Sequence, residues 1–585
     1  MLKADGTGPI KDGTGPGSVN MPQKKQKKLE PVQPDVEYKL LISEQTFKSS
    51  NDLYTTPKTN EEFSVGIQWN GVNSKNLKKT TYNMIGQTNG IKNASILANE
   101  LSISRTSDSI DIEDENVANA VKAFNLADKK NWERLKMDAM NEKIVYDGSI
   151  QNLGISFWYW NDKIESGNQF KVIGDIDSQL VDMTDLYVAN PTQTDIQKQM
   201  WNKITVSMTV AEAKEFAKSK GVTADVIETL MADETDVYKP YSKNGESTDS
   251  KETTIVYNFK KVDNKIYSAI TTKDIVIEDW KDIDMSIYPI AVYTYKPRKK
   301  FFYGEAEMTR YIENQRVANT QAAAQHLNAI MMAVPMTIIN SSILKGYSGA
   351  IGSIQKAKVS TNVPLSNLFY QAQPKAMGAD VDKSIDNSIT RTRELAGVGD
   401  NLMGSARPEN AAALMTQIKQ ANIPIETYRR RLYDYIEQVA NIWLEFYKTK
   451  YNITRKLMDE ETKETVEFTG TNYADVFLNT KTNVGASRQW SEITELQQLY
   501  DLWDRGIIDD KLDFLTRLPS NSIKNQQELI DKVKDNSLLA MLKQLAITML
   551  SEEQQQQFLQ LDENSQDEML KQMLSSQNEI QGGIQ

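Results

Sequence analysis

Leu414 to Phe446, LMTQIKQANIPIETYRRRLYDYIEQVANIWLEF, carries the clearest periodicity in the chain. Leu414, Ile418, Ala421, Ile425, Tyr428, Leu432, Tyr435, Val439, Ile442 and Phe446 follow one another in alternating steps of four and three, an apolar seam of period about 3.5 that predicts one long helix. Pro424 lies inside the seam. It deletes the bond to the carbonyl of Gln420 and crowds it, at roughly 3 kcal/mol in a straight helix, so a kink is expected between Gln420 and Pro424. A plain coiled coil, as in a scaffold protein, is the competing account, but it gives no reason for a proline in mid-stripe. Arg429, Arg430 and Arg431 look basic, yet successive helical residues point about 100° apart and cannot form one patch. A solvated face or intersubunit ion pairing is the expected role.

Working upstream, residues 397–410 read as a loop opened by Gly397-Val-Gly399, and 378–396 as a helix with Val381, Ile385, Ile389 and Leu395 on one stripe. Residues 334–377, dotted with Gly and Ser, read as a small lobe. A long helix is expected from Tyr303-Gly304-Glu305 to about Ala333, closed by Pro335. Residues 36–300 form an α+β block. Its helices include one from Asn116 through Phe124 and one from about Trp132 to a stop at Asp147-Gly148. Its strands are expected at 154–160, 171–174, 179–188, 253–261, 265–271, 274–278 and 288–295, with a helical insertion over 210–231 and an exposed loop over 243–251. Residues 1–35 hold the repeat ADGTGPI and KDGTGPG and the cluster Lys24, Lys25, Lys27 and Lys28, and read as a flexible tail. Downstream, 411–484 hold the kinked helix and return strands, and 485–585 a helical cap with a Gln-rich acidic end. The fold class is α+β, helix-rich.

Composition removes much chemistry. The 585 residues include no Cys and a single His, His326, so disulfides, Cys-rich zinc sites, cysteine nucleophiles and His-dependent triads are excluded or nearly so. The formal net charge of -11 opposes massed Lys/Arg grip on nucleic acid, though not passage of DNA. No phosphate-cradling G-x-x-x-x-G-K-[ST] occurs, and the glycines at 397, 399 and 404 and at 346, 349 and 352 read as loop flexibility. Asp111, Glu113, Asp114 and Glu115 are the one place where paired carboxylates could hold Mg²⁺ for a nuclease, against the plainer role of favouring a helix N-terminus. His326 reads as a satisfied interior or interface residue. Val317 to Leu344 is free of charge but carries Asn319, Gln321, Gln325, His326, Asn328 and Asn340, and its apolar part, Ala329 to Ile339, is too short to span a bilayer. Residues 1–20 lack the order of a signal peptide. No cofactor, metal or catalytic set is expected.

Several short segments share an order with a known family. They are Gly66-Ile-Gln-Trp69-Asn-Gly71, Thr81-Tyr-Asn-Met-Ile85, Leu186-Tyr-Val-Ala-Asn-Pro191, Tyr288-Pro-Ile-Ala-Val-Tyr293, Phe302-Tyr-Gly304, Tyr311 to Asn319, and Gly404-Ser405 before the long helix. In that order, over roughly residues 50 to 450, the chain resembles the portal proteins of tailed bacteriophages. The resemblance implies a wing (36–300 with the long helix), two stem helices (301–333 and 378–396), a clip (334–377), a tunnel loop (397–410) and a crown (485–585). It implies a closed homo-oligomeric ring, twelve-fold in virions, at the capsid vertex, packaging and ejecting double-stranded DNA without catalysis of its own. The implied partners are the large terminase subunit, major capsid and scaffolding proteins, and head-to-tail adaptor and tail proteins. Asn401, Leu402, Met403, Gly404, Ser405 and Arg407 would face the DNA channel, Pro424 would kink the helix, and Ile343, Leu344, Tyr347, Leu368, Phe369 and Tyr370 would dock terminase or adaptors at the clip.

Overall fold

The computed structural model describes residues 29–70, 79–107, 115–166, 172–232, 252–333, 336–339, 364, 369–372, 375–376, 378–398, 411–458, 465–473, 476, 478–487, 499–500, 502–508, 511–518, 529–530 and 532–533. The fold is α+β. Helices α1 (Pro34–Ser50), α2 (Thr55–Ser64) and α3 (Met84–Ile96) come first, then strand β1 (Asn99–Thr106) and helices α4 (Glu115–Arg134) and α5 (Met137–Gln151). Helix α1 therefore starts before the expected boundary at 36, and Val32 is already buried, its N-H bonded to Asp279 at 2.9 Å. Helix α3 starts at Asn83, whose side chain accepts from the Gly86 N-H at 3.1 Å and satisfies one of the orphan donors of the first turn. Helix α4 does not stop at Phe124, because Ala120, Ala123, Phe124 and Ala127 continue one buried stripe. The break comes at Lys136, whose φ of 51° no helix can hold. Helix α5 runs past Asp147-Gly148 because Gly148 packs on Tyr293, where a Cβ would lie 2.8 Å from the ring.

Two antiparallel sheets follow. In the first, β2 (Leu153–Ser166) lies between β3 (Val172–Val181) and β9 (Ile290–Thr294), with Ile155 opposite Val181 on one side and Val292 on the other. The second runs in chain order through β4 (Leu186–Val188), β5 (Trp201–Thr209), β6 (Glu252–Val262), β7 (Lys265–Thr271) and β8 (Val276–Asp282), with α6 (Val210–Ser219) and α7 (Ala224–Glu228) inserted. A capping box of Thr209 and Glu212 starts α6. The stretch expected as one strand over 179–188 divides at a turn where Asp182 caps Thr184. Strands β5 and β1 are additions to the expected set. The partner of β1 is β14 (Asn479–Ser487), hundreds of residues away, so no local turn announces the pair.

Helix α10 (Ala411–Lys450) is one helix of 40 residues with Pro424 inside it. From Ile425 onward the seam is buried at Ile425, Leu432, Tyr435, Val439, Ile442 and Phe446, against the first sheet and α4. Trp443 meets Trp158 edge to face, centroids 5.4 Å apart. The Gln438 side chain joins the sheet as a backbone would, accepting from Val292 N-H at 3.1 Å and donating to Val292 carbonyl at 3.2 Å. Hairpin β12 (Arg455–Met458) and β13 (Thr465–Phe468) follows α10. Strand β14 carries the return strands to Ser487, past the expected boundary at 484. The described part of the C-terminal region holds α11 (Lys511–Arg517) and a small apolar cluster of Leu499, Trp503, Ile508, Phe514 and Leu518.

The remaining elements are α8 (Thr309–Ala333), β10 (Met336–Ile339), β11 (Phe369–Ala372) and α9 (Ala379–Ala396). Helix α8 begins six residues later than Tyr303. Residues 301–308 instead follow a non-helical path, in which Gly304 has φ 65° and a Cβ would fall 1.9 Å from Asn152 Nδ2. On α9 the buried positions are Ser388, Thr392 and Ala396, and Leu395, expected on the apolar stripe, is 57% exposed. No helix among the described residues is long and apolar enough to cross a membrane.

Candidate functional site: the helical hairpin and its two anchors

Helices α8 and α9 pack as an antiparallel pair through small and amide side chains. The buried face of α8 opens with Tyr311 and Ile312 and continues with Gln315, Ala318, Asn319, Ala322 and Ala323. Gln321 donates to Ser384 Oγ at 2.9 Å, Gln325 donates to Asp382, and Asn328 donates to the Lys375 carbonyl at 3.2 Å. Beyond Asn328 the α8 surface is open, with Ile330, Met331 and Met332 exposed. His326, two residues before Asn328, is half-buried, so of the interior or interface position expected for it the interior is not met. Strands β10 and β11 pair antiparallel at its far end, Ile338 with Tyr370 and Ile339 with Phe369. Ile343, Leu344, Tyr347 and Leu368 lie outside the described residues, as do the glycines at 346, 349 and 352.

Helix α9 ends at Gly397, φ 70°, a left-handed cap that glycine adopts without strain. A Cβ on Gly397 would stand 3.0 Å from Pro424 Cβ, so the end of α9 rests on the one proline of α10. Val398 is buried beside Phe63, Ile85 and Ile312. Gly397 therefore belongs to the cap of α9 and Val398 to the core, rather than to the expected loop. Asn401, Leu402, Met403, Gly404, Ser405 and Arg407 lie outside the described residues.

Two polar hubs lie where segments that carried the sequence resemblance meet other parts of the chain, and the first of them holds α8 directly. In the first, Gln315 and Asn319 of α8 bond each other at 2.9 Å, Asn319 donates to Gln68 at 2.6 Å, Gln68 donates to Asn83 at 3.1 Å, and the Ile85 N-H donates to Gln315 at 3.2 Å. Trp69 donates to Thr81 at 3.1 Å beside them. Just before α8, Glu307 receives Lys92 at 2.9 Å, Tyr311 at 2.8 Å and Tyr428 at 2.8 Å, tying α3, α8 and α10 together. Burial alone would raise the Glu307 pKa, but the Lys92 charge and these three donors outweigh it and hold the carboxyl below its ordinary value.

The second hub is Lys48 of α1. Its ammonium is fully buried and donates to the carbonyls of Met183, Thr184 and Leu186 at 2.8, 3.0 and 2.6 Å, among the rings of Tyr54, Tyr187 and Tyr303 at 5.8, 3.9 and 5.1 Å. Burial pulls its pKa down to about 7, while Asp185, Glu44 and Asp182 pull the other way. Leu186 to Pro191 and Phe302 to Gly304 meet here, and the Phe302 N-H reaches the Pro191 carbonyl at 2.8 Å.

Near these hubs lie two clefts. One of about 830 Å³ runs between α3, the start of β1 and α5, and one of about 200 Å³ is lined by Tyr54, Glu61, Tyr146, Asp147, Gln151 and Asp182. Asp147 borders both. Burial, then repulsion from Asp182 and Glu61, pushes its carboxyl up to about 7. A carboxyl raised in the folded state costs stability as pH climbs from about 4 through about 7. Asp147→Asn is therefore expected to stabilise the chain by about 1 to 2 kcal/mol at about pH 8, allowing for its partial exposure, with no gain at about pH 4. Urea unfolding of both proteins across that range checks it, and a constant difference would refute the assignment.

Among the described residues no group of three or more His, Asp or Glu is placed to hold a metal ion. Asp111, Glu113 and Asp114 lie outside the described residues, and Glu115 opens α4. The arginine triplet is divided by the helix. Arg429 is 7% exposed and donates to the Ser95 carbonyl at 2.6 Å, and Arg431 donates to the Tyr295 carbonyl; only Arg430 is on a solvated face, beside Glu426. These are partners within one chain, so Arg429 corrects the expectation of a solvated or intersubunit role. Lys48, Lys92 and Glu307 were not foreseen, because nothing in their spacing marks a single charge that will be buried. No model of a known protein family matches the chain, and no curated protein matches it.

Proposed function

We propose that the chain is the subunit of a portal ring at a capsid vertex, a passive conduit through which double-stranded DNA is packaged and ejected. In this reading the described α8 and α9 are the stem, the 334–377 region the clip, 397–410 the tunnel loop and α10 the wing helix. The observation that carries it is the convergence of the ordered segments. Gln68, Trp69, Thr81, Asn83, Gln315 and Asn319 are far apart in sequence and meet in one hub under the α8 and α9 pair. Three large apolar side chains of the same segments, Ile67, Tyr82 and Val317, and Val65 just before them stay 44 to 60% exposed around that hub. Apolar surface held this firmly beside a buried scaffold suits contact with an identical neighbour, where obligate interfaces exceed roughly 2,000 Å².

The partners in this reading are further copies of the chain, the large terminase subunit, capsid and scaffolding proteins, head-to-tail adaptors and DNA, and the location is the virion. Size exclusion with light scattering is the test. Twelve copies of 66.3 kDa give a particle of about 800 kDa whose annular shape microscopy would reveal. Monomer at every concentration and salt would end the proposal. Double replacement of Tyr82 and Val317 by Glu is expected to shift the population toward monomer.

A further inference from the structure

The sequence holds two runs of three consecutive basic residues, and only one presents all three to solvent. Arg298, Lys299 and Lys300 are exposed, with Lys296 half-exposed before them. Among the described residues none of the four forms an ion pair. Their backbone is rigid. The Lys296 N-H donates to Asn152 Oδ1 at 2.6 Å, Asn152 Nδ2 donates to the Tyr303 carbonyl at 2.8 Å, and Glu305 N-H donates to the Lys296 carbonyl at 3.2 Å. Arg298 and Phe301 form an antiparallel bridge, Lys300 holds φ 53°, and the Arg298 guanidinium lies over the Phe301 ring at 5.1 Å. Three cations thus stand on a braced turn between β9 and α8, in a chain whose formal net charge is -11.

We propose that the turn over residues 296–300 is a sequence-independent contact for the phosphate backbone of double-stranded DNA. A phosphate backbone asks only for positioned cations, whereas a protein partner asks for an apolar centre as well. Among the described residues from 252 to 316 no large apolar side chain is exposed, and on the α8 side the first that is, Val317, lies seventeen residues beyond Lys300. The contact is weak in one copy, because few charges are neutralised. It rests on the ring reading only for its multiplication, since every subunit would add its turn to one circle.

Fluorescence anisotropy of a labelled duplex of about 30 base pairs tests it, with the full chain titrated from about 25 to about 200 mM salt. The triple change R298E, K299E and K300E is expected to weaken binding at least about tenfold at low salt and to make the slope of log affinity against log salt shallower by about 2 to 3. Arg430→Glu, which removes the exposed member of the other run, is expected to change the slope by at most about 1. Light scattering on each variant separates loss of the contact from loss of assembly. If the triple variant changes mass, the milder pair Lys299→Gln and Lys300→Gln is read instead, with about two thirds of the change in slope. Unchanged duplex affinity in variants of unchanged mass overturns the proposal and leaves the ring reading standing. Turn-dependent binding of polyglutamate that is tighter than that of duplex also overturns it, in favour of an acidic protein.

Discussion

Lys48→Met is expected to cost about 3 to 5 kcal/mol, measured as the loss of unfolding free energy in urea. Methionine fills the aliphatic length but offers no donor, so the carbonyls of Met183, Thr184 and Leu186 lose their common partner in the interior. Each buried acceptor left bare costs about 1 to 3 kcal/mol, partly offset because the substitution also removes a buried charge. The pH dependence gives the sharper result. The lysine is held down to about 7 in the folded chain and returns to about 10.4 when unfolded. Between those values the unfolded chain binds more protons, so the stability of the parent rises with pH while that of the variant lacks this contribution. The gap should be constant below about pH 6 and widen from about pH 7 to about pH 10. A gap that stays constant over that range would show that the carbonyls hold the ammonium charged, against the burial described for it.

Glu307→Gln is expected to cost about 3 to 5 kcal/mol, because it leaves the Lys92 ammonium buried without its counter-charge. The loss falls on three elements at once, since Lys92 lies in α3, Tyr311 in α8 and Tyr428 in α10. The double change with Lys92→Met should recover most of it, because removing both members of a buried pair costs far less than removing one. With the Glu307 carboxyl held below its ordinary value, its contribution is present above about pH 4.3 and fades as pH falls through the lower folded value. Near-equal stability of single and double variants would mean that the pair is no anchor.

The long helix and its proline are legible in the sequence because a period of 3.5 sustained over ten positions arises in packed helices and in little else. Strands with a hairpin partner nearby, such as β6 and β7, are equally visible. Strand β1 is not, because its pairing with β14 closes a loop of several hundred residues and leaves no turn signature. The start of α8 falls later than its pattern suggests because the Asn152 side chain packs closely on the Gly304 backbone, a contact that only the folded chain brings together. Of the candidate site, the segments Gln68 to Trp69, Thr81 to Ile85 and Tyr311 to Asn319 are legible as motifs, and their convergence is not. The basic runs over 298–300 and 429–431 look alike on paper, and only the fold shows that a turn keeps the first whole while a helix divides the second. Whether a charge is buried is decided by partners from distant elements, and spacing alone does not report that.

The contact between Gly397 and Pro424 fixes how far α10 reaches past the end of its neighbour. Thirteen positions separate Pro424 from Ala411, and at about 1.5 Å per residue the first part of the rod overhangs that contact by about 20 Å. The chain leaves Val398 near the contact and must regain the tip at Ala411, so the tether between them has to cover that overhang. About six fully stretched residues would span that distance, and the sequence supplies twelve, 399–410.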